Sequence, residues 1–378
     1  MPSFREDRLE LAGIASALAS LKFEVQLLRY GLALKAGFSP AQPRVPAGNS
    51  DGGQWTDAGG SGGLAREPRT VTRVSCSGEH ARVDRSTYRA DGSLAEQSVA
   101  QADGTLIVSR YAAPGDSPQW TDVHRVVLPD GTAGVFLNRG TTQEIYDGDD
   151  RLLGQTVWTE TGPQPQAIIQ PAYVAPVVRA AAATTIELAA ALYTWLSSRA
   201  ALTGEQPVVA FTTREYAPGE SPQMMPSYVG ALTKEEVEKA CRRLSDVQKY
   251  ADDISSSLNR SNFSTTASYG TAVHWALSDR IKAENNPNFG TEVSFLKTVE
   301  EVGARPIRSQ EDVIKYGKRG SIRIDVLEHA SDQVTCVYDI KAGKRGLSAS
   351  RSAEISRAVF ARYPDTRTII VTEIRPKK

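Results

Sequence analysis

The chain has 378 residues, more than one ordinary domain needs, and its 40% hydrophobic content is enough for a real core. Its 44 basic and 44 acidic side chains cancel, so bulk charge argues neither for nor against a polyanionic partner. The balance is uneven: residues 341–378 hold 10 basic against 3 acidic side chains, which points a polyanion site, or a solvated helix face, toward that end.

The N-terminus, MPSFREDRLELAG, is charged and lacks the apolar run of a Sec signal, so cytoplasmic synthesis is expected. Apolar residues spaced three and four apart predict a helix over 5–36, ended by Gly37, giving an N-terminal element at 1–37. Residues 38–67 are rich in Gly and Pro and read as a linker. Residues 68–162 predict an antiparallel β meander, because Asp-Gly recurs at Asp91-Gly92, Asp103-Gly104, Asp130-Gly131 and Asp147-Gly148 between β-like runs. No catalytic constellation stands out there, and His80 and His124 read as surface or core histidines.

Residues 163–230 read as an alanine-rich helix between linkers. The helix, at 177–202, is interrupted by Arg179 and Glu187, which favours a buried or partner-packing helix over a membrane span. The stretch 203–230, with APGESPQMMPS, reads as a second linker before a C-terminal domain at 231–378. The three cysteines, Cys76, Cys241 and Cys336, lie far apart and imply neither zinc nor a disulfide framework, so a reducing compartment is the simplest reading.

The C-terminal domain predicts one amphipathic helix over 232–258 with a Thr233–Glu236 capping box, a helix over 269–285, three strands, a helix and a last strand. That order is an α/β layer with a mixed central sheet, in a multidomain α+β chain. The strands SIRIDVLEH and VTCVYDIKAG place Asp325, Asp339 and Lys341 among β-branched residues. Side chains two apart share a strand face, so Asp339 and Lys341 go together with Val337, and Cys336, Tyr338 and Ile340 face the other way. Antiparallel pairing across the HASDQ turn brings Asp325 beside Asp339. Two such carboxylates need a cation, which suits Mg²⁺ or Mn²⁺. The plainer reading is a pair of strand-edge charges with Lys341 as ion-pair partner, and His329 in the turn as a solvent-facing residue.

The order of these pieces resembles the PD-(D/E)xK nuclease superfamily, in its RecB-like and Cas4-like branch, over residues 265–376. The matching stretches are YGTAVHWAL with Gly270 and His274, GSIRIDVLE with Asp325, and VYDIKAG with Asp339, Lys341 and Gly343. The resemblance implies a restriction-endonuclease-like C-terminal domain. It implies metal held by His274, Asp325 and Asp339, with Glu292 as a further acid, and Lys341 acting on the attacking water. The branch often carries Gln four positions before a Tyr in the next helix. Here Val359 stands before Tyr363, which leaves Glu354 or Arg351 to position substrate. Lys344, Arg345 and Arg351, at the start of that helix, are the expected phosphate contacts.

The function expected is therefore a Mg²⁺-dependent deoxyribonuclease at the C-terminus of a modular protein. PRVPAGNSDGGQWT resembles segments of phage-like and toxin-like modular proteins, which implies an effector delivered by a non-Sec route. Such an effector would have DNA as substrate, a cognate immunity protein or a delivery partner on residues 1–230, and no membrane segment. The other class left open is a non-enzymatic phage or secretion-system component with an inactive nuclease-like domain.

Overall fold

Nine short strands open the described part of the chain: β1 (Arg69–Ser77), β2 (His80–Tyr88), β3 (Leu94–Ala100), β4 (Leu106–Tyr111), β5 (Asp122–Val127), β6 (Ala133–Arg139), β7 (Thr142–Asp147), β8 (Leu152–Thr159) and β9 (Gly162–Pro165). The structure is a computed structural model and describes residues 68–77, 80–101, 103–115, 120–166, 175–214, 223–296, 321–343, 346–363 and 365–377. The expected N-terminal helix and its linker lie outside the described residues. The strands pair antiparallel in sequence order, the predicted meander. Three of its turns share one build. In each, Gly92, Gly104 or Gly131 takes φ near 90° (87°, 91° and 88°), and the preceding aspartate accepts from the amide two residues on. The fourth Asp-Gly behaves differently. Asp147 starts that turn, accepting from the Asp149 and Arg151 amides, and Asp150 takes the positive φ of 60°.

Inward residues of the meander, Val99, Ile107, Val126, Phe136 and Ile145, pack on α1 (Ala175–Thr203). The far side of α1 meets a second sheet through the same cluster, which includes Val209, Phe211, Val229, Val337 and Val371. Between the two sheets α1 buries Leu188, Leu192, Tyr193, Trp195 and Leu196, while Glu187 and Ser198 stay exposed, so most of its described length from 184 on is covered. Among the described residues no helix is long and apolar enough to cross a membrane.

The second sheet has six strands in the order β11-β10-β15-β14-β13-β12: β10 (Gln206–Arg214), β11 (Gln223–Leu232), β12 (Phe289–Leu296), β13 (Ser321–His329), β14 (Val334–Ile340) and β15 (Thr368–Ile374). β14 and β15 run parallel and the other neighbours antiparallel, so the sheet is mixed as expected. Two readings of the sequence are corrected here. The supposed linker at 203–230 contains β10 and β11, so the boundary at 231 cuts through the sheet. Its prolines misled: Pro226 sits at a register break on an edge strand, one of the few places where a sheet accepts proline. The meander, for its part, is no separate domain, since it shares a core with this sheet. Gln143 of β7 completes the join. Its side-chain amide donates to Val229 O at 2.7 Å and accepts from Val229 N at 2.8 Å, which covers the edge of β11 as another strand would.

Helices α2 (Lys234–Ala240), α3 (Leu244–Ser257) and α4 (Thr266–Lys282) cover the other face of the sheet, and α5 (Ala349–Arg362) packs beside α1. The Thr233–Glu236 capping box is present. The single helix expected over 232–258 is broken at 241–243. There Cys241 forms a disulfide with Cys336 of β14, and the Glu328 carboxylate accepts from Arg243 N at 3.2 Å, where no side chain caps α3. The bridge overturns the reading of three unpaired cysteines. Its sequence separation of 95 residues carries no spacing signal. Closing so long a loop restricts the unfolded chain, so reduction is expected to lower unfolding stability by about 2–5 kcal/mol. Urea unfolding with and without a strong reductant measures this, and coincident curves would contradict it.

Candidate metal and phosphate site

All seven residues of β14 are buried, which is why VTCVYDI shows no polar alternation. Val337 packs toward α1, while Cys336, Tyr338 and Ile340 pack toward α2–α4, as the strand period predicts. In β13 the alternation turns over at Asp325. Ile322 and Ile324 belong to the core on the α1 side, whereas Val326 belongs to the opposite core. Pairing with β14 runs from His329 to Val326 and stops there. Asp325 thus stands where β13 parts from β14, with one carboxylate oxygen accepting from Ile340 N at 2.9 Å.

Two further side chains enter this gap. His274 comes from α4, an element started by a Thr265–Ser268 capping box. Glu292 comes from β12, where it has φ of 56° in the middle of a strand. A non-glycine residue in that region is strained by about 1–3 kcal/mol, and such strain gathers at functional sites. His274 Nδ1 lies 3.3 Å from Asp325 Oδ1 and 3.7 Å from Glu292 Oε1. Donor atoms of the three residues lie within 4.8 Å of one another. Both His274 Nδ1 and Glu292 Oε1 are buried without a well-aligned hydrogen bond, the state of groups that would turn to a cation. The donor set of one imidazole and two carboxylates therefore fits a divalent metal ion.

Asp339 lies beside this trio and carries its own cation, with Lys341 Nζ 2.5 Å from Asp339 Oδ2. The charges explain one another. Burial works against a charged His274, yet the Asp325 and Glu292 carboxylates raise it to about 10. Burial raises Asp325, but His274, the Ile340 amide and Lys341 outweigh it and hold Asp325 below the usual range. Burial and the Asp325 charge push Asp339 up to about 6 against the pull of Lys341. In the metal-free protein, protonated His274 thus serves as the cation between the carboxylates.

Four of the expected site residues, His274, Glu292, Asp325 and Asp339, meet here with Lys341. Asp339 is the one expected ligand outside the tight trio. Arg351 donates from its guanidinium to Arg323 O at 2.7 Å and faces Glu354 at 4.0 Å. Lys344 and Arg345 lie outside the described residues. Val359 is fully buried in the core, so nothing at that position handles substrate. Tyr363 packs on Phe295 and on His329 at 4.3 Å between rings, which makes His329 half-buried rather than solvent-facing. His124 is a core histidine, bonded to Ser109 Oγ and Asp122 at 2.8 Å each.

Three charged residues went unseen in the sequence. Arg323 holds Glu292 Oε2 at 2.7 Å. Glu373 and Arg375 form a pair at the end of β15, where Glu373 is the strand neighbour of Asp339. Their signal was present, an acid and a base in the apolar run TIIVTEIR, the same pattern that drew notice to Asp339. No family model, curated protein or solved structure matches the chain.

The raised His274 has a consequence for pH. Its pairing stabilises the metal-free fold fully below the unfolded value of 6.5, and that contribution is lost as pH rises through about 10. The melting temperature of metal-free protein is expected to fall over this window more steeply than that of His274→Gln. Parallel profiles would show that His274 is not held by the carboxylates.

Proposed function

We propose that the chain is a metal-dependent nuclease of the PD-(D/E)xK type that hydrolyses phosphodiester bonds of DNA. The observation that carries this reading is the convergence of His274, Glu292 and Asp325 within 4.8 Å, next to the Asp339–Lys341 pair, at the point where β13 leaves β14. His274 Nδ1, Glu292 and Asp325 would hold the ion, with Asp339 at its flank. A bound divalent cation supplies positive charge at a phosphate oxygen and acidity to water. Lys341 Nζ, aimed by Asp339, orients the attacking water and neutralises negative charge developing on the phosphate. Arg323 fixes one Glu292 oxygen and leaves the other turned to His274. One nitrogen among oxygen donors favours Mn²⁺ over Mg²⁺, because imidazole prefers the softer ion.

The reading extends to an effector module delivered to a target cell, with an inhibitor protein in the producer. The Cys241–Cys336 bridge supports it, since disulfides persist where a chain passes through an oxidising compartment.

Cleavage of supercoiled plasmid and of single-stranded DNA and RNA tests the reaction, with Mn²⁺, Mg²⁺ or EDTA. The full chain is expected to nick DNA only with metal, at lower concentrations of Mn²⁺ than of Mg²⁺. Asp339→Ala and Lys341→Ala are each expected to lower the rate at least about 100-fold while the fold persists. Folded wild-type protein that leaves every substrate intact would sink the nuclease reading and favour a non-enzymatic role. Metal uptake also reads out without substrate. At pH 8 His274 is protonated, so binding an ion is expected to release about one proton, and far less in His274→Gln.

A further inference from the structure

Strands β14 and β15 run parallel, with Tyr338 beside Thr372, Asp339 beside Glu373 and Ile340 beside Ile374. They finish on the same pattern, Asp-Ile-Lys at 339–341 and Glu-Ile-Arg at 373–375. In each the acid is buried, Asp339 at 4% and Glu373 at 5% exposure, and is paired with the base two residues on. The first pair belongs to the proposed reaction. The second does different work.

Glu373 and Arg375 hold the segment that follows Lys341. Glu373 Oε2 accepts from Leu347 N at 2.5 Å, and Arg375 Nη1 donates to Gly343 O at 3.2 Å. Lys341 N itself donates to Ile374 O at 2.9 Å, between the two. Gly346 leaves the pair room, since a Cβ there would lie 3.0 Å from Glu373 Oε2 and 3.2 Å from Arg375 Nη2. The clamp is anchored in turn: Gln206 Nε2 donates to Glu373 O and Gln248 Nε2 to Arg375 O, each at 2.9 Å. Three attachments to β15 therefore surround the backbone from which the lysine side chain grows.

A lysine side chain has four flexible carbons and little preference for one direction. Fixing its backbone, and the chain after it, narrows where Nζ points. We propose that Glu373 and Arg375 are positioning residues for the cleavage reaction. By clamping Lys341, Gly343 and Leu347 to the end of β15, they present Lys341 Nζ to Asp339 and the metal-binding carboxylates. This rests on the nuclease reading. A pair with a purely structural role would lower stability when one partner is removed but leave kcat of the folded protein unchanged.

The test compares the full wild-type chain with Glu373→Gln, Arg375→Gln and the conservative Arg375→Lys. Cleavage kinetics with Mn²⁺ are read alongside amide hydrogen exchange at Lys341 and Leu347. Because Glu373 is buried, losing one partner of the pair is destabilising, so kinetics are read only on protein shown to be folded, and Arg375→Lys keeps a cation beside the carboxylate. In Arg375→Gln, kcat is expected to fall at least about tenfold with KM within about twofold, exchange at the two amides to speed up, and Arg375→Lys to recover part of the loss. Wild-type kcat in the neutral variants, or a rise in KM alone, overturns the proposal. Unchanged exchange at Lys341 and Leu347 rejects the clamp itself. Wild-type protein that cleaves nothing removes the nuclease reading, and with it any role of the pair in turnover.

Discussion

Four carboxylates gather at one end of a sheet, and the structure around them answers the resulting repulsion. Glu292, Asp325, Asp339 and Glu373 come from four neighbouring strands and are largely withdrawn from water. Each carries a cation: Arg323, His274, Lys341 and Arg375 in turn. In a medium of low dielectric, such charges persist only when paired or when they share a metal. The pairing is not uniform, and the difference is informative. Glu373 faces one cation and a backbone amide, whereas His274 Nδ1 is shared between the Glu292 and Asp325 carboxylates.

The rest of the fold keeps this arrangement rigid. The gap at Asp325 exists because β13 turns away from β14, and the turn is held from both sides of the sheet. On one side the Cys241–Cys336 bridge and the Glu328 carboxylate tie the hairpin to the junction of α2 and α3. On the other, α1 fills the space between the mixed sheet and the meander. The meander thus acts as more than an appendage. It covers α1, and through Gln143 it closes the edge strand β11 that would otherwise invite another chain.

Legibility in the sequence followed how local each cause was. The meander was visible because Asp-Gly turns are set by four or five residues, and three of the four behave as that chemistry dictates. The faces of β14 were visible because strand period needs no partner. His274, Asp325, Asp339 and Lys341 were picked out by their order along the chain, and all four lie at the same sheet end. What failed was non-local. Pro226 looked like a loop marker because the bulge that tolerates it depends on pairing with β10. The disulfide joins residues 95 positions apart, and the turn in β13 that sets the site depends on where pairing with β14 stops. The bond from Arg351 at a helix start to the Arg323 carbonyl, 28 residues away, likewise had no local signal.

The central claim is that the three clustered donors are a metal site, and a crystal of the full chain soaked in Mn²⁺ tests it most directly. The anomalous difference map is predicted to show a peak bonded to His274 Nδ1, Glu292 and Asp325, beside Asp339, with Lys341 Nζ close by. A crystal with Mn²⁺ bound elsewhere and none between these three residues, at millimolar concentration and neutral pH, would contradict the account.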